Sequence, residues 1–207
     1  MSRGIFITLE GPDGAGKTTQ IQMMKEYLES LGKTVLLTRE PGGTGISEKL
    51  REILLDKENA EMSDTTEMMI YAAARAQHVA QVIKPALAEG KIVICDRFVD
   101  SSIAYQGYGR RLGEPVAVIN SYAVAGCMPD VTFLMKLDPA VGKGRIRADE
   151  QDRLESEKEA FHDEVFKGYL RLEDENPDRI FGIDASRSIE DIKNDIYRKL
   201  EEVLNCL

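Results

Sequence analysis

The chain has 207 residues, of which 36 are acidic and 27 basic, so its formal charge is −9. With 43% apolar and 30% charged residues, the composition is that of a folded globular protein of one domain rather than of a disordered chain. The acidic balance argues against a nucleic-acid-binding surface, and no apolar run approaches the roughly 20 residues of a membrane-spanning helix.

Short β-branched and apolar runs alternate with longer helical patterns along the chain. This order is typical of βαβ units, in which a parallel sheet is covered by helices on both faces. The predicted strands are Gly4–Glu10, Thr34–Thr38, Lys91–Cys95, Val131–Leu137 and Arg179–Asp184. We therefore predict a three-layer α/β fold with five parallel strands, forming a single domain over 1–207.

The helical patterns follow the predicted strands. Gly32 is expected to end the first helix, and Pro85 predicts a kink in the longest one. Ahead of two of the helical patterns, a polar residue stands three positions before a glutamate, which is the spacing of a capping box. The two pairs are Asp64 with Glu67 and Ser156 with Glu159. The predicted helices are 16–31, a run ending at Leu55, 64–89, 114–125, 139–148, 156–174 and 188–205.

The segment after the first strand is a phosphate-binding loop. Residues 11–18 fit G-x-x-x-x-G-K-[ST] between a strand and a helix, which is the context that confirms a P-loop. Its backbone N–H groups converge on phosphate oxygens, and the helix N-terminus adds partial positive charge. We expect Lys17 to reach the β- and γ-phosphates and the Thr18 hydroxyl to ligate Mg²⁺. The predicted nucleotide-binding residues are Gly11, Pro12, Asp13, Gly14, Ala15, Gly16, Lys17, Thr18 and Thr19.

A P-loop alone predicts a bound nucleotide but not a reaction, because switch GTPases, motors and small-molecule kinases share it. The sequence has no N-K-x-D motif, which argues against a GTPase. The third predicted strand ends at Asp96 and Arg97, at the sheet edge where open α/β proteins bind ligands. The Asp96 carboxylate suits Mg²⁺ held through water, and the Arg97 guanidinium suits a second phosphate. A surface ion pair is the alternative interpretation of these two residues.

Further segments are specific in combination. They are FITLEGPDGAGKTTQ (6–20), TREPGGT (38–44), YAAAR (71–75), IKPAL (83–87), DRFVDSSIAYQGYGR (96–110), PDVTFLMKLD (129–138) and DRLE (152–155). Together they resemble the bacterial thymidylate kinases, a family of P-loop nucleoside monophosphate kinases, over essentially the full chain. The resemblance implies the P-loop kinase fold with a short lid over about 142–155. It also implies transfer of the ATP γ-phosphoryl group to thymidine 5′-monophosphate (dTMP), with Mg²⁺.

The resemblance assigns five residues to the thymidine moiety. Arg75 would bond the thymine carbonyl and lie near the acceptor phosphate. Tyr71, where the family usually has phenylalanine, would stack on the base, since both rings offer a π-face. Ser102 and Gln106 would contact the thymine edge. Tyr105 would pack under the sugar and disfavour a 2′-hydroxyl.

The resemblance also assigns residues to the acceptor phosphate. Glu40 would sit near the sugar or its phosphate, and Arg51 and Arg97 would grip the phosphate. Asp13 would orient Arg97 or the acceptor sugar. The alternatives are a solvated helix arginine for Arg51 and a surface turn aspartate for Asp13.

The expected chemistry is charge neutralisation, because the acceptor is already a phosphate dianion near neutral pH and needs no strong general base. Lys17, Mg²⁺, Arg97 and a further arginine would offset the repulsion between the two nucleotides. Some family members carry that arginine in the P-loop. This P-loop has none, so we expect it in the lid, at Arg147 or Arg153. Arg145 would stack on adenine.

Two rival functions remain at this stage. One is another P-loop deoxynucleoside or nucleotide kinase, for which Glu40 is the only candidate base. The other is a nucleotide-dependent switch. We expect dTMP and ATP as the small-molecule partners, with no nucleic acid and no membrane. The family is generally a homodimer, to which the 64–89 helix and Ile103–Tyr108 would contribute. The absence of a signal-peptide pattern and of paired cysteines indicates a cytoplasmic protein.

Overall fold

A computed structural model of the chain describes residues 3–145 and 152–205. Within these ranges five strands form one parallel sheet in the order β2-β3-β1-β4-β5. The strands are β1 (Phe6–Glu10), β2 (Val35–Arg39), β3 (Ile92–Asp96), β4 (Val131–Lys136) and β5 (Ile180–Asp184). All five predicted strands are confirmed, with small shifts at their ends. The register sets Leu9 opposite Asp96, so the P-loop and the end of β3 emerge side by side.

Helices cover both faces of the sheet. Alternate side chains of β1 point to opposite faces, as the pleat requires. Ile7 packs in a cluster with apolar residues of 21–28 and 192–200, whereas Phe6 packs with residues 79–87. The predicted three-layer α/β architecture is therefore confirmed. The helices are α1 (Lys17–Ser30), α2 (Gly45–Leu55), α3 (Asp64–His78), α4 (Lys84–Ala88), α5 (Val99–Ser102), α6 (Glu114–Val124), α7 (Pro139–Lys143), α8 (Glu159–Glu175) and α9 (Ile189–Asn205).

The predicted 64–89 helix has three parts. A π-helical turn, Val79–Ile83, joins α3 to α4. It lies immediately ahead of Pro85, which has no backbone N–H to donate and whose ring crowds the preceding turn. The kink predicted there therefore takes the form of a wider, π-helical turn. A second π-helical segment, Ile103–Gly109, follows α5, and a short 3₁₀ turn, Lys57–Asn59, follows α2. The sequence patterns did not predict these three segments.

Both capping-box predictions are wrong. The N-cap of α3 is Ser63, whose side chain accepts a hydrogen bond from the Thr66 N–H at 3.2 Å. Asp64 lies in the first turn instead, where the positive end of the helix dipole stabilises its negative charge. The predicted cap of α8, Ser156, lies outside that helix, since α8 begins at Glu159 after an extended Lys158.

The predicted lid is described only at its two ends. On the first side the predicted 139–148 helix is too long, since α7 ends at Lys143 with Gly144 as its C-cap and Arg145 lies in a turn; residues 146–148 lie outside the described ranges. On the second side Leu154 is buried in a cluster with α8. No helix in the described parts of the chain combines the length and the apolar character that crossing a bilayer requires.

Candidate active site

The P-loop is built from glycines that no other residue could replace without strain. Gly11, Gly14 and Gly16 all have positive φ, at 125°, 74° and 87°. A Cβ atom at Gly14 would also collide with the backbone of Gly142 in α7, and a Cβ at Gly142 would collide with the backbone of Asp13. The phosphate loop and the start of the predicted lid are therefore in direct backbone contact.

Lys17 is folded back over this loop. Its ammonium donates to the Gly11 carbonyl at 3.1 Å and to the Pro12 carbonyl at 2.9 Å, and lies 3.8 Å from a carboxylate oxygen of Asp13. Burial, and then the positive charge of Arg97, lowers the pKa of Lys17. The ammonium is thus held at the P-loop, and its contact with phosphate oxygens stays a prediction.

One cavity of about 420 Å³ opens beside the P-loop, a volume typical of small-molecule sites. It contains most of the residues predicted for both nucleotides. The predicted residues that line it are Asp13, Gly14, Gly16, Lys17, Thr18, Glu40, Arg51, Tyr71, Arg75, Asp96, Arg97, Ser102, Tyr105 and Gln106. The sequence analysis did not predict Arg39, Asp152 or Glu155, which line it as well.

Arg75 forms the buried floor of this cavity and is only 2% exposed. Its Nε donates to Glu40 at 2.7 Å, and its Nη1 donates to the Ser102 hydroxyl at 2.9 Å and to the Asn120 side-chain oxygen. Its Nη2 donates to the Phe98 carbonyl at 2.9 Å. These contacts use four of the five guanidinium N–H groups, and they fix the direction of the fifth.

The Glu40 carboxylate is hydrogen-bonded to two buried side chains, of which Arg75 is one. Its other oxygen lies 3.0 Å from Nδ1 of His78, whose Nε2 lies 2.7 Å from the Thr38 hydroxyl. Both Glu40 and His78 are buried. This places the Glu40 carboxylate in an ion pair with Arg75. Its proximity to an acceptor sugar or phosphate remains a prediction.

Arg97 projects from a strained turn at the end of β3, with a φ of 63°. Its Nη2 donates to Asp13 at 2.6 Å, and its guanidinium lies over the ring of Tyr105, 5.3 Å from the centroid. Burial alone would raise the pKa of Asp13, but the charges of Arg97 and Lys17 outweigh it and hold that pKa well below its usual range. The structure therefore pairs Asp13 with Arg97, the contact expected for an orienting carboxylate.

Two hydroxyls lie on the other edge of Arg97. Its Nη1 donates to Ser101 and to Tyr169, each at 3.1 Å. Both hydroxyls also lie within hydrogen-bond distance of Glu10, at the end of β1. Glu10 and Tyr169 are both buried, and the sequence analysis did not predict a role for either.

A third buried carboxylate, Glu67 of α3, holds the predicted base-edge residue Gln106. The Gln106 amide donates to it at 2.9 Å. Glu67 also accepts hydrogen bonds from Arg110 at 3.1 Å and from Arg153 at 2.6 Å. Because Arg153 donates further to the Leu54 carbonyl at 2.8 Å, its guanidinium is held at the α2–α3 junction and not at the P-loop. Its catalytic assignment stays a prediction.

The arginines on the two outer edges of the site have distinct surroundings. Arg51 donates to the Pro41 carbonyl at 3.0 Å, as does Arg39 at 2.7 Å, so two cations share one edge of the cavity. Arg145 donates to the Gly14 carbonyl at 3.0 Å and is exposed beside the P-loop. Arg147, which was predicted alongside Arg153 as the catalytic lid arginine, lies outside the described residues.

The residues predicted for Mg²⁺ suit a hard cation. Thr18 is exposed at the cavity, and one carboxylate oxygen of Asp96 is buried without a hydrogen-bond partner in the described residues. Oxygen ligands of this kind are those that Mg²⁺ prefers. Within the described ranges no group of three or more candidate ligand side chains exists, so phosphates and water would complete the coordination.

Comparison with known proteins decides the family. The family model described as thymidylate kinase matches residues 9–196. The chain belongs to the thymidylate kinase family. The thymidylate kinase of Lactobacillus helveticus is 50% identical, covering 98% of each chain, and that of Halalkalibacterium halodurans is 44% identical, covering 99% of this chain and all of the other. The crystal structure of the Ehrlichia chaffeensis thymidylate kinase superposes with a TM-score of 0.76 at 34% identity, covering 96% of this chain and 99% of that one.

Thymidylate kinase membership confirms the resemblance drawn from the motifs. It leaves His78, Asn120, Glu10 and Tyr169 as buried residues around the site that no motif singled out. One signal was available for His78, which lies three residues after Arg75 and so on the same helix face. For Glu10, the signal was a carboxylate at the end of an otherwise apolar strand. Asn120 and Tyr169 carried no such signal.

Proposed function

We propose that this chain transfers the γ-phosphoryl group of ATP to dTMP, with thymidine diphosphate and ADP as products. The observation that carries the proposal is that one cavity contains both the P-loop Lys17 and the two arginines, Arg75 and Arg97, assigned to an acceptor nucleotide. Membership of the thymidylate kinase family supports the same reaction.

The proposed mechanism depends on positioning rather than on a general base. The acceptor is a dianion near neutral pH, since its second pKa is about 6, and the obstacle is repulsion between two anions. Lys17 would neutralise the donor phosphates, and Arg97 would hold the acceptor phosphate against them. Mg²⁺, held by Thr18 and through water by Asp96, would neutralise further charge on the donor.

The proposed recognition of thymine uses side chains whose orientation the protein already fixes. Arg75 would donate its remaining N–H to the base carbonyl. Gln106, held by Glu67 at 2.9 Å, would meet the base edge, and Tyr71 would stack on its face. Tyr105 lies against Arg97 and would pack under the sugar.

The chain should phosphorylate a nucleoside monophosphate and not a nucleoside. We expect diphosphate formation from dTMP and no phosphorylated product from thymidine, measured by separating the products after incubation with ATP and Mg²⁺. The physical reason is that Glu40, the base that the sequence predicts for a nucleoside hydroxyl, is already paired with Arg75 at 2.7 Å and with His78 at 3.0 Å. Phosphorylation of thymidine would favour the rival deoxynucleoside kinase. Nucleotide binding without any diphosphate product would favour a switch.

At least one of two lid arginines should accelerate the chemical step. We expect Arg147→Ala or Arg153→Ala to slow single-turnover phosphoryl transfer by tenfold or more, because an arginine finger is typically worth about 10³–10⁵ in rate. Arg198→Ala is the matched control, because Arg198 is an exposed arginine of α9 paired with Asp195. Wild-type single-turnover rates in both lid variants would remove the lid-arginine assignment.

A homodimer is part of the proposal, and exposed apolar side chains on three neighbouring helices support it. Helix α3 packs against both α2 and α6. The exposed apolar residues are Ile46 and Ile53 on α2, Met69 on α3, and Val118 and Tyr122 on α6, and Tyr122 is 77% exposed. Exposed apolar surface of this kind marks interaction sites. The Ile103–Tyr108 segment is a poorer contributor than expected, since Ala104, Tyr105 and Gln106 are buried within the protomer.

A charge on this surface should dissociate the dimer. We expect Met69→Glu to halve the mass measured by light scattering after size-exclusion chromatography, because a buried carboxylate at an interface is left unpaired. Ile189→Glu places the same charge at an exposed apolar site at the start of α9 and should leave the mass unchanged. A monomeric wild-type protein would contradict the dimer proposal.

We also propose a cytoplasmic location, where ATP and nucleoside monophosphates are available. Two described cysteines, Cys95 and Cys127, are buried free thiols, in keeping with a reducing compartment.

A further inference from the structure

A buried cluster of oxygen atoms lies behind Arg97, on the side away from Asp13. The Ser101 hydroxyl donates to Glu10 at 2.5 Å, and the Tyr169 hydroxyl lies 2.7 Å from Ser101 and 3.3 Å from Glu10. Both hydroxyls accept from Nη1 of Arg97 at 3.1 Å. The cluster thus connects the carboxylate at the end of β1 to the guanidinium at the end of β3, and α8 contributes through Tyr169.

The hydrogen bonds in this cluster have one direction. An ionised carboxylate only accepts, so the Ser101 hydroxyl must spend its single proton on Glu10, and the Tyr169 proton must point to Glu10 or to Ser101. In either case the lone pairs of both hydroxyl oxygens are left for Arg97, which only donates. An ionised Glu10 therefore fixes both hydroxyl oxygens as acceptors that face the Arg97 guanidinium.

Glu10 also supports the backbone at Arg97. The positive φ of 63° at this residue is uncommon for a side chain other than glycine and costs free energy unless the surroundings hold it. The Arg97 N–H donates to the Leu9 carbonyl at 2.9 Å, and the next N–H, that of Phe98, donates to Glu10 at 2.8 Å. The turn is thus held to β1 by a backbone bond and by the same carboxylate.

We propose that Glu10 and Tyr169 are positioning residues for Arg97, which they orient toward the acceptor phosphate through a one-directional hydrogen-bond cluster. Neither lines the cavity that contains Arg97, so they act through the arginine and not on the substrate. This inference rests on the proposed function, because it assigns a consequence to Arg97 in the use of dTMP.

The protonation of Glu10 gives the cluster a distinctive signature. Burial, and then the nearby Asp100 carboxylate, raises the pKa of Glu10 to about 7. A protonated Glu10 carries an O–H that donates into the cluster, and it no longer holds the negative charge that orients both hydroxyl protons away from Arg97. Acceptor use should therefore weaken as the pH falls through about 7. The charged and titratable groups that face Glu10 are Asp100 on α5, Arg97 after β3, Tyr169 on α8, Lys17 on α1, Cys95 on β3 and Arg179 before β5.

Two isosteric substitutions test the proposal. Tyr169→Phe removes one acceptor oxygen, and Glu10→Gln keeps the shape but introduces an amide that donates to the hydroxyls. We expect each to lower kcat/KM for dTMP by about tenfold or more, as losing hydrogen bonds to a charged group implies. The KM for ATP should not change. Tyr197→Phe is the matched control, because that hydroxyl donates to the Met23 carbonyl at 2.8 Å, away from the site.

The pH profile separates positioning from a structural role. The acceptor phosphate itself titrates with a pKa of about 6, in wild type and variants alike. We expect wild-type kcat/KM for dTMP to show a further inflection near pH 7, and Glu10→Gln to lack it. Wild-type kcat/KM in both variants, or an inflection that persists in Glu10→Gln, would overturn the proposal. An equal loss in the kinetics of both substrates would also overturn it, since that indicates general damage.

A second variant keeps the test open if Glu10→Gln fails to fold. Ser101→Ala removes the other hydroxyl of the cluster without a charge change and should also lower kcat/KM for dTMP by about tenfold. An unchanged kcat/KM in Ser101→Ala would refute the proposal that the cluster orients Arg97. Failure of the proposed function is distinguishable from all of these outcomes, because it appears in the wild-type protein as a lack of thymidine diphosphate.

Discussion

Replacing Lys17 with alanine is expected to abolish phosphoryl transfer, with kcat falling by about 10³ or more. The ammonium is the one buried cation folded over the P-loop in the described structure, within 3.1 Å of two loop carbonyls. Without it the donor phosphates would lose their fixed counter-charge in a site where charge is only weakly screened. The measurement is single-turnover formation of thymidine diphosphate at saturating ATP.

The fold should persist in Lys17→Ala, because the substitution removes a desolvated charge and leaves α1 a residue with high helix propensity. Lys25→Ala is the matched control, since Lys25 lies on the same helix in a partly exposed pair with Glu29. Circular dichroism should be the same for both variants and wild type. Substantial turnover by folded Lys17→Ala would contradict the donor-site assignment.

Replacing Arg97 with alanine is expected to be equally severe, but on the acceptor side. Its guanidinium donates at 2.6 Å to Asp13 and lies over Tyr105, so its loss would remove the cation next to the acceptor phosphate and leave the Asp13 carboxylate facing an anion. We expect kcat/KM for dTMP to fall by about 10³ or more while ATP binding, measured calorimetrically without acceptor, remains.

The control for Arg97→Ala must match its backbone. Arg111 also has a positive φ, of 58°, and is exposed on the surface. Arg111→Ala therefore places an alanine in the same left-handed backbone conformation, away from the cavity, and it should retain wild-type kinetics. Full activity in purified Arg97→Ala would remove the acceptor-site assignment and, with it, the role inferred for Glu10 and Tyr169.

The sheet and the P-loop were predictable because their signals are local. Each strand is a short apolar run, and the loop is a motif of fixed spacing whose glycines are required by the backbone. The ends of the helices were harder to predict. Ser63 and Asp64 are both good caps, and sequence spacing favoured the glutamate at position 67, whose side chain is instead committed to Gln106 and Arg110 inside the protein.

The partners of the site residues were not predictable, because they come from distant parts of the chain. Asn120 lies 45 residues from Arg75, and Tyr169 lies 72 residues from Arg97. Nothing in the local pattern of α6 or α8 distinguishes these two polar groups from ordinary helix residues. Motifs identified the side chains that would face substrates, and the fold brought in the groups that hold those side chains in place.

The reciprocal contact of Gly14 and Gly142 has a mechanical consequence for the segment that follows it. At its first end, Gly142 is in backbone contact with the P-loop, and at its far end Arg153 is hydrogen-bonded to Leu54 of α2 and Glu67 of α3. The two described ends of the predicted lid are therefore attached to different parts of the site, one to the P-loop and one to α2 and α3. Any shift of the P-loop against these two helices on ligand binding would therefore change the separation of Gly142 and Arg153.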